Sequence, residues 1–205
     1  MGAQTAGVPH DPGPTLELLE LLRDDESEYV RRSVANHLND IGKDHPERLV
    51  QVAERWAIGA SPNRIALLRH ALRSLLKSGH SRALAVVGHA PDASIDVRNP
   101  VVTPKRVAWS ARVQLGYEVV NTGATDVSVI AECRVGFVRA DGSVSTKAFR
   151  MGRFDLAPGA TRSVSKSLSL ADLSTRRHYP GVHPVEAQVN GQRFVMGEFR
   201  LLAPD

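Results

Sequence analysis

The sequence predicts an α+β multidomain protein, in which a short HEAT-like α-solenoid fragment precedes an immunoglobulin-like β-sandwich. Up to about residue 90, apolar residues recur every three or four positions, the period of amphipathic helices. From about residue 93, they alternate with polar residues, the period of half-buried strands. From this change of period, helical repeats are predicted over 15–90 and the sandwich over 93–205, with a linker over 88–92. The Pro- and Gly-rich residues 1–14 are predicted to be a disordered leader.

The helical half is predicted to form two helical hairpins. Helices are expected over about 15–23, 26–42, 46–56, 62–79 and 81–87. Asp25 and Glu28 have the spacing of a capping box, and Gly42 is predicted to end the helix that follows. Pro46 and Pro62 suit the first turns of the next two helices. The hairpins have a length near that of HEAT-type repeats, but two repeats are fewer than a solenoid needs to stand alone.

The second half is predicted to contain seven strands. They are expected over about 94–98, 112–120, 126–139, 144–150, 161–170, 183–189 and 192–202. Two-residue hairpin turns are expected at Asp141-Gly142 and at Asn190-Gly191, because these residue types adopt positive φ readily. In the third strand, one set of alternating apolar residues is predicted to face the core: Val129, Ala131, Cys133, Val135 and Phe137. Seven such strands indicate an immunoglobulin-like sandwich.

Composition excludes several classes of protein. Hydrophobic residues at 42% and charged residues at 23% lie near the globular average, which excludes wholesale disorder. No apolar run approaches the ~20 residues of a membrane-spanning helix. A single cysteine and the lack of a secretory leader predict the cytoplasm. The histidines and Cys133 have no metal-ligand spacing, and a net charge of +4 permits a polyanionic partner without requiring one.

Two helices carry polar stripes opposite or beside their apolar faces. On the second helix, Arg32, Asn36 and Asp40 are spaced four residues apart. Asp40 falls in the last turn, where the helix dipole disfavours an anion, so it needs a cationic partner such as Lys43 or a cationic ligand. The fourth helix carries a basic stripe that suits successive phosphates or is an ordinary solvated face: Arg69, Arg73 and Lys77.

A third candidate surface is a loop that joins cationic and aromatic side chains. It includes Arg176, Arg177 and His178, and this mixture suits contact with a nucleic-acid backbone or base. A plain turn is the alternative. The sequence contains no Gly-rich phosphate loop, no nucleophile elbow and no paired-carboxylate motif.

Three segments of the chain resemble the AlkC-type DNA alkylation repair proteins. The first two are residues 25–46 and 69–80, and the third is a C-terminal region that contains the stretches 175–183 and 189–191. They occur in the family's order, and the resemblance covers about 11–203. It implies a HEAT-like solenoid followed by an immunoglobulin-like domain, which together grip duplex DNA. It also implies a DNA glycosylase that removes small cationic lesions, chiefly 3-methyladenine, without flipping the base and without a metal or organic cofactor.

The resemblance gives roles to particular residues. Asp40 matches the family position of a carboxylate that stabilises positive charge on the deoxyribose, and Asn36 is its neighbour on the same helix face. Family members carry a longer N-terminal helical region with further active-site residues. We therefore expect this chain to correspond to the C-terminal part of such a protein, with a missing helical half as a possible partner. The alternative is a non-catalytic module that binds DNA or a protein.

Overall fold

The computed structural model describes residues 11–172 and 177–204, and the chain divides into two compact units between Ser78 and Gly79. In the first unit, residues 11–78 form five helices: α1 (Gly13–Leu22), α2 (Glu28–Asp44), α3 (Pro46–Ala57), α4 (Pro62–Ala71) and α5 (Arg73–Ser78). Helix α2 packs against α3 and α4. Trp56, Leu38 and Leu68 are fully buried between these helices and form the centre of the unit's core. Across the described residues, every helix is too short or too polar to traverse a bilayer.

Helix α2 begins and ends differently from the prediction. Its N-cap is Ser27, in extended backbone, and the Asp25 carboxylate accepts the Ser27 N–H at 2.8 Å instead of capping the helix itself. The helix also continues through Gly42 to Asp44. Gly42 is buried because Leu49 of α3 occupies the space where a side chain on residue 42 would lie. The glycine therefore permits close packing of two helices and does not end one.

The predicted helix over 62–79 is divided in two. Leu72 has φ −81° and ψ 2°, which takes it out of the helical region and separates α4 from α5. The Leu72 N–H still bonds to the Leu68 carbonyl at 2.9 Å, so the chain turns only locally. The stripe of Arg69, Arg73 and Lys77 consequently crosses this break and does not lie on one continuous helix.

The described residues of the second unit, 79–172 and 177–204, contain all seven predicted strands and one more. The strands are β1 (Ile95–Thr103), β2 (Arg106–Val107), β3 (Arg112–Asn121), β4 (Val127–Val138), β5 (Val144–Leu156), β6 (Thr161–Ser169), β7 (Gly181–Val189) and β8 (Gln192–Leu201). They form a sheet β1-β3-β6 and a sheet β2-β8-β7-β4-β5. The additional β2 pairs with β8 in parallel. The alternating residues of β4, from Val129 to Phe137, lie in the core as predicted.

The two predicted hairpin turns have different outcomes. Asn190 and Gly191 both have positive φ, 46° and 85°, and they connect β7 to β8 as a two-residue turn. The other prediction was wrong in length. The Arg139 N–H bonds to the Ser143 carbonyl at 2.8 Å and the Gly142 N–H bonds to the Arg139 carbonyl, so three residues form the loop. Gly142, with φ 80°, occupies the left-handed position of this loop.

A sixth helix, α6 (Ser81–Val86), belongs to the second unit, so that unit begins earlier than the expected sandwich. The segment 79–93 packs on the β7–β8 hairpin and on β4. Asn190 Nδ2 donates to the Ala90 carbonyl at 3.3 Å, and Gln192 Nε2 donates to the Pro91 carbonyl at 3.0 Å. His89 is buried with Nδ1 3.1 Å from the Ser128 carbonyl. The residues 88–92 are therefore a packed part of the unit and not an open linker.

Candidate nucleic-acid interface

One exposed face of α2 carries residues that the sequence assigned to the site. Arg32, Asn36 and Asp40 lie four residues apart on this helix, and all three are exposed. Helix α4 contributes His70, whose Nε2 lies 2.9 Å from Asn36 Oδ1. Arg73, in the first turn of α5, donates from Nη1 to the His70 carbonyl at 2.7 Å. These five residues form one surface, which we call the α2 patch.

The Asp40 carboxylate is exposed and ionised at neutral pH. Its side chain is 61% exposed, and Oδ1 lies 2.7 Å from Lys43 Nζ. The hydrogen bond and the charge of Lys43, with a smaller contribution from Arg73, hold the pKa of Asp40 below its ordinary value. The pair with Lys43, one of the two alternatives that the sequence left open, is therefore formed. Exposed pairs of this kind contribute little stability, so the carboxylate remains accessible to a cationic ligand.

His70 is the neutral member of the α2 patch. Its partial burial, followed by the charges of Arg73 and Arg32, holds its pKa below the ordinary value for histidine. Because an amide oxygen only accepts hydrogen bonds, the contact with Asn36 Oδ1 requires the proton on Nε2. The neutral imidazole therefore donates to Asn36 and fixes the orientation of its amide.

The environment of His70 gives a pH prediction. We expect His70 to titrate at a lower pH than an unperturbed histidine, and Arg73→Met to raise its pKa because one of the nearby positive charges is removed. Histidine ring resonances followed by NMR over pH 4–8 measure both values. The unfolded state binds this proton more readily than the folded state, so His70 lowers stability as the pH falls through the ordinary histidine value. An unchanged pKa in Arg73→Met would show that the charge of Arg73 does not contribute to it.

A groove of about 430 Å³ opens beside the α2 patch, between α2 and α4. Arg31, Arg32 and His70 line it together with the acidic Glu28 and with apolar or amide side chains. Arg31 is fixed there, since Nη1 donates to the Asp25 carbonyl at 2.7 Å. Asp40 does not line the groove, so the carboxylate faces open solvent and not a closed pocket. This arrangement suits a ligand that lies across the surface.

The other predicted contact residues are not among the five that form the α2 patch. Arg69 and Lys77 are exposed. In the sandwich, Arg177 is exposed, whereas His178 is only 3% exposed and its ring packs 5.4 Å from that of Phe137. Its burial does not support the prediction that the His178 side chain contacts DNA. Arg176 lies outside the described residues.

The sequence analysis missed the role of His70. The residue follows Arg69 directly, so it points about 100° away from the basic stripe, toward α2. Its partner Asn36 is distant in sequence, and periodicity within one helix carries no signal for such a pair. No group of three or more His, Cys, Asp or Glu side chains that could hold a metal ion occurs within 11–172 and 177–204.

Residues 96–203 match the family described as "Uncharacterised protein YhaZ, C-terminal Ig-like domain". The chain belongs to this family. The match confirms the immunoglobulin-like prediction for the second unit. A relative, the YhaZ protein of Bacillus subtilis (strain 168), is 36% identical over 191 residues, which are 93% of this chain and 53% of the relative.

A solved structure is similar over both units. It is the alkylpurine DNA glycosylase AlkC of Pseudomonas fluorescens, bound to DNA containing an abasic site analogue, with 37% identity and a TM-score of 0.88. The similarity covers 94% of this chain and 54% of that one. The chain thus spans about half the length of the relatives it matches. These findings confirm the resemblance to AlkC-type proteins.

Proposed function

We propose that this protein acts in DNA alkylation repair, as a DNA glycosylase-like protein that binds duplex DNA and excises small cationic alkylated bases such as 3-methyladenine. The observation that carries the proposal is an ionised, exposed carboxylate, Asp40, on a cationic surface, in a chain similar over most of its length to an alkylpurine DNA glycosylase. The proposal includes a HEAT-like arrangement of the helical unit and a cytoplasmic location.

The chemistry follows from the charge of the lesion. Alkylation makes the base cationic, so it leaves as a neutral group with the electron pair of the glycosidic bond. Positive charge then develops on the deoxyribose, where the Asp40 carboxylate stabilises it. A water molecule that Asp40 orients bonds to the C1′ carbon and releases a proton. Asn36, whose amide oxygen lies 2.9 Å from His70 Nε2, is one helical turn from Asp40, and its proposed role is to contact the same sugar.

The cationic side chains near Asp40 suit contacts with the DNA backbone on either side of the lesion. Arg32 and Arg73 of the α2 patch would contact phosphates on either side of the lesion, and Arg69, Lys77, Arg176 and Arg177 are proposed to contact phosphates farther away. Phosphate contacts position a protein without reading the sequence, which fits an enzyme that recognises damage. Lys43 competes with the substrate for Asp40, since it already pairs with the carboxylate.

The test is release of 3-methyladenine from methylated duplex DNA by the purified chain. We expect Asp40→Asn to reduce the rate by roughly tenfold or more, since loss of one preorganised electrostatic contact has effects of about this size or larger. Asp44→Asn is the matched control, because Asp44 is an exposed carboxylate one helical turn away on α2. No release by the folded wild-type chain, or equal rates in both variants, would contradict the catalytic proposal.

The second candidate is a non-catalytic module that binds DNA or a further helical segment. The exposed apolar side chains of helix α1 favour this second candidate. Leu18 and Leu21 of this helix are 56% and 83% exposed, while only Leu19 is buried. DNA binding that falls steeply with salt and without base release would support a DNA module. Salt-insensitive self-association that Leu21→Glu abolishes would support an exposed apolar contact surface on α1.

A further inference from the structure

Two asparagines on α2 contact side chains of the helices beside it. His70 of α4 reaches Asn36, with Nε2 2.9 Å from Oδ1, and Ser74 of α5 donates from Oγ to Asn39 Oδ1 at 2.9 Å. Asn36 and Asn39 are three residues apart, so both contacts lie on the same side of α2. The two contacts are similar in chemistry but differ in burial.

The contact between Ser74 and Asn39 is explained by stability. Asn39 is only 3% exposed, and a buried amide oxygen that lacks a donor costs free energy. This hydrogen bond therefore satisfies a polar group in the interior and ties α2 to α5. No ligand is needed to account for it.

The contact between His70 and Asn36 has a different effect. Asn36 is exposed, so water can satisfy its amide as well as His70 does. A hydrogen bond between groups that water reaches contributes little net stability. What the contact does is select one orientation of the Asn36 side chain, with Oδ1 directed at His70.

This orientation decides which end of the Asn36 amide a ligand meets. Because Oδ1 is directed at His70, the Nδ2 group on the other branch of the planar amide is directed away from it. An amide NH₂ group donates hydrogen bonds and accepts none. Asn36 therefore offers a donor to a ligand on the α2 patch, and the ligand must supply an acceptor.

The charges around this donor favour an anionic acceptor. After burial, the charges of Arg73 and Arg32 lower the pKa of His70, so both guanidinium groups lie near the contact with Asn36. Cationic surroundings of this kind attract a phosphate oxygen. The ring oxygen of deoxyribose is unsuitable, because a donor there would oppose the positive charge that develops on the sugar.

We propose that His70 is a positioning residue, which holds Asn36 as a hydrogen-bond donor to an oxygen of the phosphate attached to the sugar of the lesion. The choice of DNA rests on the proposed function. The contact is made when the substrate binds and persists during the reaction, so its loss should raise KM and leave kcat unchanged. Loss of the Asp40 carboxylate should instead lower kcat, so the two residues are distinguishable.

The test is fluorescence anisotropy of the full chain with a labelled duplex that contains an abasic-site analogue. We expect His70→Leu and Asn36→Leu each to weaken binding by roughly two- to tenfold, the effect of one hydrogen bond. The combined variant should bind no more weakly than Asn36→Leu, because both changes remove the same contact. His70→Gln should restore binding, since glutamine also carries an N–H donor.

Ser74→Ala is the matched control, because it removes the neighbouring contact to α2, in which the amide is buried. We expect Ser74→Ala to lower the free energy of unfolding in urea and to leave the affinity for the duplex within about twofold of the wild type. His70→Leu should show the opposite pattern. A methylphosphonate beside the abasic analogue should weaken binding less in Asn36→Leu than in the wild type.

Three results would overturn the proposal. They are wild-type affinity in His70→Leu, additive losses in the combined variant, and a neutral His70 ring whose proton is on Nδ1 in ¹⁵N NMR of the free chain. None of these measurements requires base release. A chain that binds the duplex through Asn36 but releases no 3-methyladenine would contradict the catalytic proposal alone, and release that is insensitive to His70→Leu would contradict this one alone.

Discussion

Glu132→Ala is expected to lower the free energy of unfolding of the second unit by about 1–3 kcal/mol, since a buried polar group that loses its hydrogen-bond acceptor costs about this much. Glu132 lies on the outer face of β4 yet is only 3% exposed. Its Oε2 accepts from Gln188 Nε2 at 2.9 Å, and its Oε1 lies 3.4 Å from Arg150 Nε. Gln188 is buried too and would lose its acceptor. Urea denaturation measures the change.

Two further variants separate charge from hydrogen bonding at Glu132. Glu132→Gln keeps an acceptor for Gln188 and removes the charge, so we expect a smaller loss than for Glu132→Ala. Arg150→Gln should have an effect below about 1 kcal/mol, because the Arg150 side chain is 53% exposed and such pairs are weak. A loss in Arg150→Gln as large as that in Glu132→Ala would place the stabilising contact at the exposed end of the network.

Gly191→Ala is expected to destabilise the same unit by about 2–4 kcal/mol, through left-handed backbone strain and overpacking together. Gly191 has φ 85°, and a Cβ there would lie 2.8 Å from both the Gly79 carbonyl oxygen and Leu84 Cδ1. Relief of the first contact requires movement of backbone, which is more difficult than movement of a side chain. Thermal or urea unfolding measures the loss.

Gly142→Ala is the matched control for Gly191→Ala. Gly142 has nearly the same φ, 80°, and nothing lies within 4 Å of its added Cβ. It should therefore show only the strain of the left-handed conformation, about 1–2 kcal/mol. The difference between the two variants isolates the packing of the segment 79–84 on the β7–β8 hairpin. Equal losses of stability in the two variants would mean that the segment 79–84 moves away from residue 191 at little cost.

Local patterns were sufficient to predict most elements of the fold. Alternation located the strands, because each strand has one face in the core, as Val129 to Phe137 of β4 illustrate. The local patterns failed to predict an element's bounds where one residue departs from a regular conformation. β1 continues beyond residue 98 to Thr103 because Asn99, with φ 49°, accommodates an irregularity between Arg98 and Val101. The two residues of β2 are too short to show any period.

The candidate site was predictable only within single elements. The spacing of Arg32, Asn36 and Asp40 placed them on one helix face, and the pair of Asp40 with Lys43 follows from the same geometry. The bond between Asn36 and His70 joins different helices, so no local pattern contains it. The AlkC-type resemblance contributed the role proposed for Asp40, which composition and spacing alone do not give.

Glu132 shows a further limit of alternation. The pattern assigns it to the solvent face of β4, since Ala131 and Cys133 face the core. Both faces of a strand are buried when another element covers the sheet, and here the segment that includes Gly79 reaches Gln188 and Gly191. The sequence assigned these residues to the helical half, so alternation gave no sign that they lie beside Gln188, the partner of Glu132.

The early start of the second unit has a consequence for how such a module is inherited or transplanted. The family match begins at residue 96, whereas the compact unit begins at Gly79. A gene fusion cut at the family boundary would transfer the strands without the segment that lies against Gln188 and Gly191 and accepts from the Asn190 side chain through the Ala90 carbonyl. A cut before Gly79 would transfer both the strands and this segment. Recombined versions of this module should therefore retain the short helix α6 ahead of the first strand.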